Sequence, residues 1–110
     1  MARNRTDLVK GTLDLIVLRT LELRPMHGAA IAERIAQITK GTFDLKAGSL
    51  FPALHRLEQQ GWALSEWTVS ADSRRVKTYV LTAAGRRQLN AEKASWNRIV
   101  TAMNQVLESS

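Results

Sequence analysis

Apolar residues recur at helical spacing in four segments of this chain, and the first of these is the most hydrophobic. From Leu8 to Leu23 the apolar residues lie nearly all round the helix axis, which predicts a helix buried on more than one side. Pro25 predicts where this helix ends, because proline cannot continue a helix. A chain of 110 residues has little mass to cover both sides of such a helix, so the pattern is a first indication of dimerisation.

Two shorter amphipathic helices are predicted next. The second helix is expected over roughly residues 28–39, with isoleucines on one face and Lys40-Gly41 at its end. The third is expected to begin near Gly48-Ser49 and to stop at Gly61, because Pro52 lacks an N–H and belongs in a first helical turn. Its leucine stripe consists of Leu50, Leu54 and Leu57. At about 100° per residue, the side chains predicted to point away from that stripe are Pro52, His55, Arg56 and Gln59, with Ser49 beside them.

The pattern then changes to two strands and a final helix. Residues 62–69 alternate loosely, residues 70–73 are turn-like, and residues 76–81 are rich in strand formers, which predicts a hairpin. Thr82 is expected to cap a last helix that runs to about Glu108. Apolar residues spaced by seven in this helix, with others between them, predict a coiled-coil-like seam. The seam consists of Leu89, Trp96, Ile99, Val100, Met103 and Val106.

These elements predict a mainly α (α+β) fold: a winged helix-turn-helix with a two-stranded wing and a C-terminal dimerisation helix. A polar-faced third helix followed closely by a basic-tipped hairpin is typical of that module, which places the helix in the major groove of DNA and the hairpin against the flanking backbone. We assign residues 1–82 to the DNA-binding part and residues 83–110 to the dimerisation helix, packed together as one compact unit.

The charge balance favours a polyanionic partner. Sixteen Lys and Arg against ten Asp and Glu give a net charge of +6. Residues 1–55 and 56–110 each carry eight cations and five carboxylates, so the chain has no basic tail. The one local cluster is Arg74, Arg75 and Lys77 at the predicted hairpin tip. Without cysteine, a long apolar run or a signal peptide, the chain is expected to be a cytoplasmic protein that does not bind a membrane.

The candidate DNA-binding residues lie in three places. In the third helix, Arg56 can donate two hydrogen bonds to guanine O6 and N7 while its polar neighbours reach base edges or phosphates; the alternative is a solvated helix face. The hairpin cations are expected to bind phosphates or to enter the minor groove; the alternative is that they keep a strand edge soluble. The full set is Lys10 in the first helix, Ser49, Pro52, His55, Arg56, Gln59, Arg74, Arg75 and Lys77.

Two interpretations remain open for Trp96 on the predicted seam. It is either part of a plain dimer core or the aromatic wall of a ligand pocket between subunits, where apolar sites are common. Trp62 and Trp67 are expected to be packing residues of the strands. Arg86 and Arg87 fall in the first turn of the last helix, where the helix dipole disfavours cations; we expect a solvated face there, with phosphate binding as the alternative.

Nothing in the sequence predicts an enzyme, a metal site or a cofactor. His27 and His55 are the only histidines, no carboxylate or thiol spacing around them matches a metal site, and no glycine-rich loop fits a phosphate. No nucleophile has a partner base in the pattern. The alternative to a DNA-binding regulator is therefore a winged-helix protein-interaction module without an operator of its own, and the basic hairpin counts against it.

Four stretches of this chain resemble the PadR family of bacterial transcriptional regulators. They are LVKGTLDLIVLRTLE at 8–22, PMHGAAIAERI at 25–35, AGSLFPALHRLEQQGW at 47–62 and RRVKTYVLTAAGRRQL at 74–89. The chain departs from the family at Phe51, where Tyr is usual, so a hydroxyl is lost there. With a single terminal helix, the chain resembles the compact subgroup of the family, whose members lack the longer C-terminal domain.

The resemblance implies a homodimeric winged helix-turn-helix protein that represses transcription. Because a two-fold dimer matches a two-fold site, we expect its operator in double-stranded DNA to be an inverted repeat. In some members of the family a small molecule bound near the dimer interface relieves repression. A small aromatic effector at the Trp96 seam is the corresponding expectation here.

Overall fold

The computed structural model describes the backbone of residues 5–110 and the side chains of residues 11–110. It confirms the α+β winged helix, with four helices and a small antiparallel sheet. In chain order the elements are α1 (Arg5–Leu23), β1 (Met26–His27), α2 (Gly28–Ile38), α3 (Ala47–Gln59), β2 (Ala63–Val69), β3 (Arg75–Leu81) and α4 (Ala83–Glu108). In the described part of the chain, no helix combines the length and hydropathy needed to cross a membrane.

The sheet has three strands where the sequence predicts two. Strands β2 and β3 form the predicted hairpin, in a register that pairs Ala63 with Leu81 at its base and Val69 with Arg75 near its tip. The short strand β1 joins the other edge of β3, pairing Met26 with Tyr79. Two residues are too few to show alternation, so this strand leaves no periodic signal in the sequence.

Helix α1 occupies the centre of the domain. It packs against α2, α3, α4 and β3, and its side chains at Val17 and Leu18 are fully buried. The other elements of the same chain therefore cover the described side chains of α1 on several sides. The hydrophobicity of α1 is explained within one subunit, and it no longer argues for a dimer by itself. The core is completed chiefly by Ile31 and Ile35 of α2, Leu50, Leu54 and Leu57 of α3, Tyr79 of β3 and Leu89 of α4.

Helix α3 begins earlier than predicted. Lys46 is its N-cap and Ala47 its first residue, so Pro52 lies inside the helix instead of in its first turn. Proline cannot donate a hydrogen bond to the carbonyl of Gly48, and this is tolerated because Gly48 is exposed and water can reach that carbonyl. The end of α3 is as predicted: Gly61 takes a φ of +76°, which glycine adopts without strain.

Thr82 fixes the start of α4 to the end of α3. Its hydroxyl accepts a hydrogen bond from the backbone N–H of Gly85 at 2.9 Å and donates one to the carbonyl oxygen of Gly61 at 2.7 Å. Its own N–H donates to the carbonyl oxygen of Trp62 at 3.1 Å. A Cβ at Gly85 would lie 2.0 Å from that same carbonyl oxygen, so only glycine allows the helix to approach so closely.

Beyond this junction α4 leaves the core. Only Gly85 and Leu89 of this helix are buried, and every residue from Trp96 onward is exposed. The projecting helix accounts for the elongated shape of the subunit, which measures 58 × 29 × 28 Å.

Candidate nucleic-acid interface

Helix α3 has a buried face and an outer face. The leucine stripe is buried together with Ala53, as the spacing predicts. The exposed polar or ring-bearing residues on the outer face include Ser49, Phe51, Pro52, His55 and Gln59. Four of these are predicted DNA-binding residues, and the structure places them together on one accessible surface. We call this surface the α3 outer face.

Arg56 is less accessible than the exposed residues of that face, because its guanidinium is already paired. Its Nη2 atom donates a hydrogen bond to Oδ1 of Asp14 in α1 at 2.7 Å, and the pair is well shielded, with side chains 28% and 16% exposed. Its Nε is buried, and no group among the described residues accepts a hydrogen bond from it. In this geometry Arg56 ties the third helix to the first, because a partly buried guanidinium needs an anionic partner.

Phe51 connects the outer face to the start of α2. A Cβ on Gly28 would lie 2.8 Å from the Cζ atom of the Phe51 ring, so the ring sits directly against the backbone at Gly28. A side chain at position 28 would have to displace the Phe51 ring, and about half of the Phe51 side chain remains open to solvent. The missing hydroxyl would have been attached at Cζ, the atom nearest to Gly28.

The hairpin carries its cations as predicted, and each has a defined neighbour. Arg74 lies in the turn, 3.6 Å from a carboxylate oxygen of Asp72. The guanidinium of Arg75 lies over the ring of Trp67, 4.9 Å from its centroid. The Nζ of Lys77 is 3.5 Å from Oε1 of Glu58 in α3.

Glu58 joins the α3 helix to the wing. Besides its contact with Lys77, it accepts a hydrogen bond from the hydroxyl of Ser65 in β2 at 2.6 Å. The wing and the third helix are thereby held in one arrangement. The pKa of Tyr79 is above its ordinary value, chiefly because the hydroxyl is partly buried. The positive charge of Lys77 opposes this shift, and the negative charge of Glu58 adds to it.

Trp62, just before β2, and Trp67, within it, have different surroundings. Trp62 is partly buried and packs against the core, in agreement with the predicted packing role. Trp67 is 61% exposed near the tip of the hairpin, so the prediction that it is a packing residue is wrong. The alternation in the second strand is too weak to separate an inward from an outward tryptophan.

The predicted seam of α4 divides into two parts. Leu89 is fully buried in the core of its own subunit. The prediction that Leu89 contacts a partner subunit is therefore wrong. The remaining seam residues are all exposed in the single chain: Trp96, Ile99, Val100, Met103 and Val106. We call these five residues, together with the exposed Leu107 beside them, the α4 seam.

A cation-rich cluster links α1 to the first half of α4. Glu22 pairs with Arg19 and with Arg86 (3.3 Å) and Lys93 (3.6 Å) of α4. Partial burial raises the pKa of Glu22, but the hydrogen bond from Arg19 and the surrounding positive charges outweigh it and hold the pKa below its ordinary value. Arg86 is thus an ion-pair partner as well as a surface cation.

Three further points concern residues outside these clusters. Lys10, predicted to bind a phosphate, lies outside the residues whose side chains the structure describes. His27 is the N-cap of α2, and its side chain makes no capping hydrogen bond. Among the described residues, no group of three or more His, Cys, Asp or Glu side chains comes close enough to hold a metal ion.

Sequence and structure comparisons point to one family. Residues 17–91 match the sequence model of the transcriptional regulator PadR-like family. A transcriptional regulator of Mycobacterium tuberculosis is 34% identical over 87 residues, which cover 79% of this chain and 78% of that protein.

Two solved structures agree with this assignment. A PadR family transcriptional regulator from Eggerthella lenta has a TM-score of 0.80 at 31% identity, covering 96% of this chain and 89% of the other. A PadR family transcription regulator from Clostridium difficile has a TM-score of 0.75, also at 31% identity, covering 86% of this chain and 97% of the other.

Proposed function

This chain belongs to the PadR-like family of transcriptional regulators, and from that premise we propose that it is a homodimeric repressor that binds an inverted-repeat operator. A DNA-binding regulator of transcription is not an enzyme, and its partner is double-stranded DNA. Since it must reach the chromosome, we place it in the cytoplasm.

The observation that carries the DNA-binding proposal is the fixed relation between the α3 outer face and the wing. Glu58 holds Lys77 and Ser65, so the face of the hairpin that bears Lys77 is turned toward α3. Residues paired in an antiparallel register share a sheet face, and Arg75, two residues from Lys77, lies on this one. A helix in the major groove and a cationic hairpin on the adjacent backbone require this arrangement.

We assign different roles to the two sets of residues. Ser49, His55 and Gln59 are accessible donors and acceptors on the outer face of α3, and we propose that they address base edges or nearby phosphates. Arg74 and Arg75 contribute charge to the phosphate backbone. Arg56 remains a candidate reader of guanine, but it must first exchange Asp14 for the base.

The dimer is proposed from two complementary surfaces. The α4 seam projects from the subunit with its apolar side chains exposed. A groove of about 320 Å³ lies between α1, α2 and α4, with Leu15, Ile16, Ile38 and Phe43 in its lining. We propose that pairing of two chains buries the seam and the groove, since exposed apolar surfaces of this extent mark interaction sites. A two-fold dimer presents two α3 helices to two half-sites of a palindrome.

Trp96 carries the proposal of an effector. Its ring is 40% exposed on the α4 seam, where a two-fold dimer would bring two such rings near each other. A planar aromatic or cationic compound would bind there by stacking and cation–π contact. It relieves repression only if it binds the DNA-free dimer more tightly than the DNA-bound dimer.

Selection of genomic fragments with the purified protein tests this function. The expected result is an enriched inverted repeat whose half-sites are separated by about one helical turn. A mobility shift on the enriched site, with excess competitor DNA, then measures specificity. Enrichment of a single half-site would contradict the dimer, and failure to bind any DNA would favour a protein-interaction module.

Residue roles are tested by comparing His55→Ala, Gln59→Ala and Arg75→Ala. Loss of a base contact should cost about 1–3 kcal/mol on the operator and relax one base position. Loss of Arg75 should weaken all sequences similarly and reduce the salt slope by about 0.9. The assignment of base reading to the α3 outer face would be wrong if His55→Ala and Gln59→Ala weakened operator and random DNA equally.

A further inference from the structure

The tip of the wing combines aromatic, apolar and cationic side chains on one face. The register pairs Trp67 with Lys77 and Val69 with Arg75, and residues paired in this way project to the same side of a sheet. Trp67 is 61% exposed and Val69 is exposed to a similar degree. This is the face of the hairpin that contacts α3 through Glu58.

Packing does not explain an exposed tryptophan at this position. Its ring contacts the guanidinium of Arg75, whose Cζ atom lies 4.9 Å from the ring centroid. An Arg side chain has many rotamers, and stacking on an indole restricts its guanidinium to a small region. Trp67 therefore orients a cation that would otherwise move freely at the hairpin tip.

Charge identifies the partner of this face. Three cations, Arg74, Arg75 and Lys77, lie close together near the tip. Arg74 faces Asp72 and Lys77 faces Glu58 at 3.6 and 3.5 Å, whereas Arg75 lies over the indole of Trp67 and is oriented for an external anion. Glu66 of the same hairpin is paired in register with Thr78, so it lies on the opposite face. A flat ring beside clustered cations suits the sugar-phosphate backbone of duplex DNA, in which apolar deoxyribose alternates with anionic phosphate.

We infer that Trp67 is a DNA-binding residue of the wing: its ring positions Arg75 for a phosphate and contacts the adjoining deoxyribose. This inference rests on the proposed function, because it assumes that the wing lies on DNA next to the groove entered by α3. It assigns to one aromatic side chain a role that the cations cannot perform alone.

The experiment compares Trp67→Ala and Trp67→Phe with Leu64→Ala. Leu64 is a matched control, since it lies in the same strand, is 64% exposed, and projects from the opposite face. Affinity for the selected operator and for random DNA is measured over a range of salt concentrations. Thermal unfolding of each variant reports whether the hairpin still folds.

Trp67→Ala should weaken binding to both DNAs about two- to five-fold, the factor expected for an exposed cation–π contact. The salt slope should stay that of the wild type, because no charge is removed, whereas Arg75→Ala should reduce it. Trp67→Phe should retain most of the affinity, and Leu64→Ala should be indistinguishable from wild type. In a double-mutant cycle, Trp67→Ala should weaken binding less once Arg75 is Ala, because only the contact of the ring with deoxyribose is then left to lose.

A second readout does not depend on affinity. In a Trp62→Phe, Trp96→Phe background the one remaining tryptophan is Trp67, and its fluorescence should change when DNA is added. Unchanged fluorescence, or an unchanged affinity of Trp67→Ala beside a weakened Arg75→Ala, would overturn the inference while leaving the proposed function intact. A wild-type protein that binds no DNA would overturn both.

Discussion

The two halves of α4 carry the same apolar spacing and have different surroundings. Leu89 and Met103 are two heptads apart on the predicted seam, yet Leu89 is fully buried and Met103 is 59% exposed. Leu89 packs into a core shared with α1 and α3, while Met103 lies in the second half of α4, where every residue from Trp96 onward is exposed. A heptad pattern thus indicates that one face of a helix is apolar. It does not indicate whether the surface that packs against this face belongs to the same chain or to a partner.

The largest effect on stability should come from a substitution at Leu89, in the buried half of α4. Leu89→Ala removes a fully buried side chain from the core, so the free energy of unfolding should fall by about 2–5 kcal/mol. Urea denaturation measures this loss. The folded fraction should keep the oligomeric state of the wild type, and a folded monomer would show that Leu89 serves the interface after all.

Met103→Lys tests whether the exposed α4 seam is a dimer interface. If the α4 seam is buried between two subunits, the variant places two unpaired ammonium groups in one interface, and the dissociation constant should rise about a hundredfold or more. Light scattering should change from about twice the chain mass of 12.3 kDa to a single chain mass. The unfolding midpoint of the separated chain should change little. A wild-type protein that is already monomeric would remove the basis for the dimer.

A similar contrast between inner and outer side chains applies to α3. Asp14→Ala deprives the partly buried Arg56 of its anionic partner, so stability should fall by about 1–3 kcal/mol. The double variant Asp14→Ala, Arg56→Ala should recover part of that loss, because no unpaired charge remains. If Arg56 also reads a base, Asp14→Ala should bind the operator at least as tightly as wild type when both are fully folded. Weaker operator binding by the folded variant would identify the pair as a structural link only.

The smallest effect should come from Glu22, which joins α1 to the first half of α4. Its pKa is below the ordinary value of 4.5 in the folded protein, so it stabilises the fold above the unfolded-state pKa. That contribution is lost as the pH falls through the lowered folded-state pKa. Glu22→Gln should cost at most about 1 kcal/mol at neutral pH, as its partners are half exposed. In denaturation curves the difference from wild type should shrink as the pH falls below the unfolded-state pKa and vanish once Glu22 is protonated in the folded protein as well. A difference that stays constant with pH would exclude an electrostatic origin.

Features determined by neighbouring residues could be predicted from the sequence. The leucine stripe of α3, the glycine that ends it, the cap at Thr82 and the basic tip of the hairpin each depend on a few consecutive positions, and the structure contains all of them. The family followed from longer stretches of the same kind, and the comparisons confirm it.

Features determined by distant contacts could not be predicted. Arg56 is partly shielded because it pairs with Asp14, which lies 42 positions away in the sequence. Strand β1 exists because β3 has a free edge, and Trp67 is exposed because the hairpin tip extends beyond the core. The roles in DNA binding and the dimer stay predictions, since they concern partners that a single chain does not contain. The division of the chain at residue 82 stays a prediction as well.

The junction at Thr82 has a mechanical consequence. The start of α4 is anchored to the end of α3 by the contacts of Thr82 with Gly61 and Trp62 and by the close approach at Gly85. The helix should therefore move as a rigid rod that pivots at its first residues, next to α3. Its 26 residues span about 39 Å, so a tilt of about 5° at one end displaces the other by about 3 Å. In a dimer joined through the α4 seam, a small rearrangement beside Trp96 would therefore change the spacing of the two α3 helices by several ångströms.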